Sequence, residues 1–180
     1  MARLRPRITH MKKILITLLF VFATTMAYSQ DEPEMKVFTK GKFTFSYPAT
    51  WEVDDSGFNG TKFLVMSPLA GDDDSFQENV NLIEQDLSGT PMTLDGFIDL
   101  SIGQLTAAGA DMLESSKTED DPTRHRQVFT LDSGGLTLKF IQYYWLQGDY
   151  AYVLTFTSMD DTFDQYMSVA EEIAKSLKVK

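Results

Sequence analysis

The stretch from Arg126 to Met159 reads as three β-strands in succession: Arg126 to Leu131, Leu136 to Leu146, and Tyr150 to Ser158. Both breaks, Asp132-Ser133-Gly134-Gly135 and Gln147-Gly148-Asp149, carry glycine where a tight hairpin needs positive φ. The segment is therefore an antiparallel meander. A sheet with one wet face alternates apolar and polar residues, whereas the second strand carries large groups on both faces. Leu138, Phe140, Tyr144 and Leu146 point one way, and Ile141, Tyr143 and Trp145 the other. Both faces need covering, and in a layered domain the cover is normally one or more helices. The meander specifies a scaffold and no reaction.

The flanking sequence supplies the covers. Beyond Ser88-Gly89, Leu94, Phe97, Ile98, Ser101, Ile102, Leu105 and Ala108 recur at spacings of three and four, predicting a helix from Leu94 to Ala108 with Thr93 as N-cap. Gly96 and Gly103 either weaken this helix, by roughly 1 kcal/mol each relative to alanine, or permit close approach to the sheet. A closing helix from about Thr162 to Leu177 carries an apolar stripe of Phe163, Tyr166, Met167, Ala170, Ile173, Ala174 and Leu177. Asp160 and Asp161 favour its N-terminus, and Lys178 and Lys180 its C-terminus. Upstream, Phe43, Phe45 and Tyr47 alternate with Lys42, Thr44 and Ser46, which predicts a strand with one face buried, ending at Pro48. Trp51-Glu52-Val53 continues extended, and further strands are expected at Phe63 to Ser67, Asn79 to Glu84 and Asp111 to Thr118. The pattern is α+β, an antiparallel sheet flanked by helices.

Residues 1 to 29 read as a signal peptide rather than as part of this domain. Met11 begins Lys12-Lys13, then a thirteen-residue apolar run from Ile14 to Met26, then Ala27-Tyr28-Ser29, with cleavage expected after Ser29. The run is too short to span a bilayer. Met11 is the more natural start, and Met1 to His10 reads as a mis-assigned beginning. Gln30 to Met35 is an acidic, flexible lead-in, and residues 36 to 180 form one domain. Five of the sixteen Lys and Arg precede Ser29 and none of the twenty-six Asp and Glu do, so eleven basic groups face twenty-six acidic ones and the exported chain carries −15. Such a surface repels phosphate backbones and argues against a nucleic-acid partner. The absence of cysteine removes disulfides, thiol chemistry and cysteine metal sites.

Gly41-Lys42-Phe43-Thr44-Phe45-Ser46-Tyr47-Pro48-Ala49-Thr50-Trp51 resembles the Phe-x-Phe-x-Tyr-Pro-x-x-Trp opening of PsbP-like proteins. The helix after Leu94, the meander and the final helix follow that family's order over nearly the whole exported chain. The resemblance implies an α/β/α sandwich, as in the photosystem II extrinsic subunit and the eukaryotic Mog proteins. Family members mostly bind or assist other proteins, and no shared catalytic residue carries over.

Three groups of residues are candidate sites. His125, between Arg124 and Arg126, is the single histidine after Ser29, and no Gly-x-Ser-x-Gly elbow accompanies it. An exposed, structural histidine is the favoured reading. Asp72-Asp73-Asp74 and Glu119-Asp120-Asp121 offer hard oxygen ligands, but neither has EF-hand spacing, and bound calcium is the weaker reading. Tyr143, Tyr144, Trp145, Tyr150 and Tyr152 crowd one hairpin. Core packing is favoured for Tyr144 and Trp145, while Tyr150 stands evenly between core and recognition surface.

No catalytic, metal or cofactor residue is assigned. The expectation is an exported, periplasmic or secreted, non-enzymatic PsbP-like domain that binds a protein partner in the cell envelope. The alternative is a small-ligand or calcium-binding module using a groove between sheet and helix.

Overall fold

The computed structural model describes residues 33–180. The signal peptide, its cleavage after Ser29 and the start at Met11 lie outside the described residues. The elements follow in the order β1 (Met35–Lys40), β2 (Phe43–Pro48), β3 (Glu52–Asp54), β4 (Thr61–Met66), β5 (Asn79–Asp86), α1 (Leu94–Ala107), β6 (Asp111–Lys117), β7 (His125–Ser133), β8 (Leu136–Gln147), β9 (Tyr150–Met159), α2 (Phe163–Ser176) and β10 (Lys178–Val179). β1 begins at Met35, within the segment expected to be a lead-in.

The meander forms as its sequence requires. β7 and β8 turn through Gly134 (φ 62) and Gly135 (φ 87), a two-residue connection in which both positions sit in the left-handed region that side chains resist. β8 and β9 then pair from Leu138↔Met159 to Gln147↔Tyr150. These strands lie inside a seven-stranded antiparallel sheet of order β3-β4-β5-β9-β8-β7-β6, and a second sheet has the order β1-β2-β10.

The two faces of β8 are covered differently. Tyr144, with Leu146, packs against Phe97 and Ile98 of α1. Ile141, Trp145 and Tyr143 face the larger cluster, which holds Ala170, Ile173 and Ala174 of α2 and Phe43 and Phe45 of β2. Helices were expected as the covers; on the α2 face the cover is a helix together with the three-stranded sheet. Phe45 packs on Phe63 at 4.3 Å between ring centroids, and Trp145 stacks on Tyr152 at 5.1 Å. The two layers are also staggered. α2 packs on β2 and β9, whereas α1 packs on β8 and β6. On the α1 face, β4 and β5 therefore leave Ile83 40% exposed.

α1 starts where expected, with Thr93 Oγ1 accepting from the Gly96 amide at 3.2 Å. It ends because Gly109 (φ 92) lets the chain reverse: the Gly109 amide donates to Thr106 O and that of Ala110 to Leu105 O, both at 3.0 Å. Only Phe97 and Ile98 of its apolar face are fully buried, and Ala108, expected on that face, is exposed at the cap. Gly96 and Gly103 are both exposed, and nothing lies within 4 Å of a Cβ built on Gly103. The close-approach reading of these glycines falls. α2 buries Phe163, Ala170, Ile173 and Ala174 as its stripe predicts. No described helix is long and apolar enough to cross a membrane.

Candidate functional site

On the α2 face, α2 stops short of the β6 edge of the sheet, and the uncovered floor there is a groove of about 760 Å³. Its residues come from β6, β7 and their connection, from Tyr143 of β8, and from Glu171, Ala174 and Lys175 of α2. Strand alternation explains the change of character. Val128 lies on this face inside the core, and the same face two residues earlier carries Arg126, opposite Tyr143.

Six of the groove's charges are closed upon one another in pairs, while Lys117, Glu119 and Asp120 line it exposed to solvent. Arg126 Nη1 donates to Glu114 Oε2 at 2.6 Å, Arg124 Nε lies 3.3 Å from Asp121 Oδ2, and Lys175 Nζ lies 3.6 Å from Glu171 Oε2. The guanidinium of Arg124 also stacks over the Trp145 ring at 4.9 Å. The hydrogen bond from Arg126 holds the Glu114 carboxyl below its usual range, against a smaller opposing effect of burial. For Arg126, burial works against the charge, but hydrogen bonding with Glu114 and Tyr143 outweighs it and raises the pKa. Burial raises Tyr143, opposed by Arg126. No pair aims a free charge at a common point, as an acid and base acting on one substrate atom would.

The structure separates the residues singled out in the sequence. Asp121 joins the groove, but its Oδ1 already accepts from Thr123 N at 3.0 Å and Thr123 Oγ1 at 2.5 Å. Asp74 closes its own loop by accepting from Ala70 N at 2.7 Å and Phe76 N at 3.1 Å, while Asp72 and Asp73 are exposed. No three His, Asp or Glu side chains converge as a metal site among the described residues. His125 is half-buried rather than exposed, and its Nε2 lies 2.8 Å from Ser115 Oγ across the β6–β7 ladder on the α1 face. Burial lowers its pKa, with Asp95 opposing. No carboxylate hydrogen-bonds its other ring nitrogen among the described residues, so the group that orients a catalytic imidazole is missing. Tyr144 and Trp145 are core residues, 1% and 7% exposed. Tyr150 is 38% exposed beneath Lys42 Nζ, 4.7 Å from its ring.

Three polar arrangements were missed. The first pins the two sheets together. Lys42 Nζ, just before β2, lies 2.5 Å from Glu84 Oε2 of β5 and donates to Tyr152 Oη of β9 at 2.7 Å; Lys62 Nζ lies 3.2 Å from Glu84 Oε1. The Lys42–Glu84 contact is ionic and falls outside ordinary hydrogen-bond geometry at Oε2. Burial disfavours the Glu84 charge, yet the polar contacts of Lys42, Tyr152 and Lys62 prevail and lower its pKa. Glu84 raises Lys42 in turn, followed by Tyr152. The second is Glu78, 2% exposed, whose carboxylate accepts from Ser67 Oγ at 3.0 Å and Thr162 Oγ1 at 2.8 Å where α2 begins. The third lies beneath α1: Ser101 donates to Tyr144 Oη, Tyr144 to Gln142 Oε1, and Gln142 Nε2 to Thr155 Oγ1 at 3.1 Å. Burial pushes Tyr144 up to about 12. The only local signal for any of these was a charged or amide residue interrupting a strand.

No family model and no curated relative matches the sequence. Solved structures do. The chain is similar to LpqN of Mycobacterium tuberculosis, a protein involved in cell envelope biogenesis, with TM-score 0.59 and 11% identity over 82% of this chain and 91% of that one. It is similar to the cyanobacterial PsbP of Synechocystis sp. PCC 6803, with TM-score 0.58 and 14% identity over 84% and 96% of the two chains. It is also similar to PA94 of Pseudomonas aeruginosa, a protein of unknown function, with TM-score 0.58 and 9% identity over 81% and 97%. At such identities the likeness speaks for the fold, and the fold is PsbP-like.

Proposed function

We propose, with the PsbP-like fold as the premise, that this is an exported, non-enzymatic accessory domain that binds a protein partner in the cell envelope through the groove between β6, β7 and α2. The observation that carries the reading is the groove's wall. Arg126 with Glu114, Arg124 with Asp121, and Lys175 with Glu171 are paired, and the remaining Lys117, Glu119 and Asp120 are exposed to solvent, so the surface offers charged and hydrogen-bonding edges to an incoming chain rather than an enclosed, poised acid or nucleophile. The signal-peptide pattern before Gln30 supports export, and the likeness to an envelope-biogenesis protein agrees with that compartment.

A second reading, a small-ligand or calcium-binding module in the same groove, draws on its volume, which lies within the range of ligand pockets. Its charged walls differ from the predominantly apolar lining of such pockets. Mild crosslinking of the exported chain in envelope extract of its source, followed by capture, decides between the two. A near-stoichiometric protein crosslinked through β6, β7 or α2 supports the first reading. A clean blank, together with a rise in melting temperature on adding millimolar calcium or a metabolite, moves the function to the second.

A further inference from the structure

We propose that the partner docks as an extended, lysine- or arginine-bearing segment added to the free edge of β6. This rests on the reading of the groove as a protein-binding site and specifies how the partner is held. β6 is the outermost strand of the seven-stranded sheet, so half of its backbone N–H and C=O groups have no neighbour strand among the described residues. The other edge of this sheet, β3, is three residues long. A segment paired to β6 places every second side chain on the α2 face, where a long side chain reaches back over β6 to Glu114 and the groove.

Charge selects the kind of segment. Glu114 is paired, but Asp111, Glu119 and Asp120, along the edge and in the loop that follows it, have no ion-pair partner among the described residues. They stand on an exported chain of −15, whose field concentrates cations and repels anions. The same acids disfavour a second copy of this chain as occupant, since pairing β6 with β6 sets these carboxylates against one another. Two features keep the edge from pairing indiscriminately: the bulge between Met112 and Glu114, and Lys117 at the strand end. The bulge confines regular docking to Glu114–Lys117.

The test uses the isotope-labelled exported chain and two heptapeptides, one alternating lysine with valine and the other glutamate with valine. The lysine peptide is expected to shift the amide resonances of residues 114–121 and to slow hydrogen exchange of β6 amides about tenfold, while the glutamate peptide does neither. Reversing the exposed Glu119 and Asp120 to lysine, which removes no buried contact, is expected to weaken that binding roughly fivefold for each effective ion pair lost. No shift at millimolar peptide, an equal response to both peptides, shifts confined to β1 or α1, or dimerisation through β6 would each overturn the proposal. A captured envelope partner crosslinked only outside β6 sinks this inference and leaves accessory binding standing. β6-specific peptide binding with no captured partner does the reverse.

Discussion

Gln127 is fully buried in the centre of β7, and neither its amide nitrogen nor its amide oxygen has a hydrogen-bond partner among the described residues. It lies opposite Gln142, whose own amide is spent on Tyr144 and Thr155. A buried amide left unpaired costs about 1–3 kcal/mol. Gln127→Leu, which keeps nearly the same volume, removes that penalty and adds apolar burial. The expected outcome is a urea midpoint raised at unchanged slope, equivalent to about 1 kcal/mol or more. A lower midpoint would show that an enclosed water satisfies the amide in solution. Nothing local in the sequence distinguishes Gln127 from a glutamine on a wet face. Its neighbours Arg126 and Val128 lie on the opposite face, and only the covering helix, placed by distant residues, makes it interior.

The helices differ in how firmly their sequences commit them. α2 was legible to within a residue at each end, because its apolar stripe repeats at helical spacing and Glu172 and Lys175 stand on the wet side. α1 was legible in position from Thr93 and the apolar spacing, but not in quality. Of its apolar face only Phe97 and Ile98 are fully buried, while Ile102 and Leu105 are half-buried. Gly103 is the sharper test. It is exposed, has no positive φ, and would meet nothing on gaining a Cβ, so Gly103→Ala is expected to stabilise the protein by about 1 kcal/mol. Gly96→Ala gains less, because its Cβ would lie 3.4 Å from the capping Thr93 Oγ1. Thermal unfolding of both variants checks this, and destabilisation by Gly103→Ala would restore the idea that the helix needs a glycine there. Native-state hydrogen exchange is likewise expected to be faster across Phe97–Leu105 than across Ala170–Ile173, since α1 buries fewer side chains.

At the scale of the molecule, the three-stranded sheet was the part the sequence concealed. Phe43 and Phe45 announced a buried face without naming what buries it, and β10 is only two residues long. The groove was concealed for a related reason: Arg126 meets Glu114 only through a ladder containing a bulge. Besides the apolar core shared by the two sheets, the Lys42–Glu84–Lys62–Tyr152 cluster joins them, and its ionisation gives the fold a pH window. Glu84 has a folded pKa below its unfolded value, so its contribution is present above the ordinary carboxylate range near 4.3 and is lost as acid carries the pH through the folded value. Lys42 is raised, so its contribution is complete below about 10.4 and is lost as pH rises through the folded value. Stability set by the cluster is therefore flat between roughly pH 5 and pH 10 and falls on both sides. Lys42→Met is expected to destabilise the protein by about 1–2 kcal/mol at pH 7 and to flatten the alkaline limb. Glu84→Gln should flatten the acid limb while leaving two lysines facing each other without their shared carboxylate. Urea titrations of the two variants from pH 3 to pH 11 measure this. An acid limb that survives Glu84→Gln unchanged would assign acid sensitivity to other lowered carboxyls, with Glu114 at the groove the first to examine.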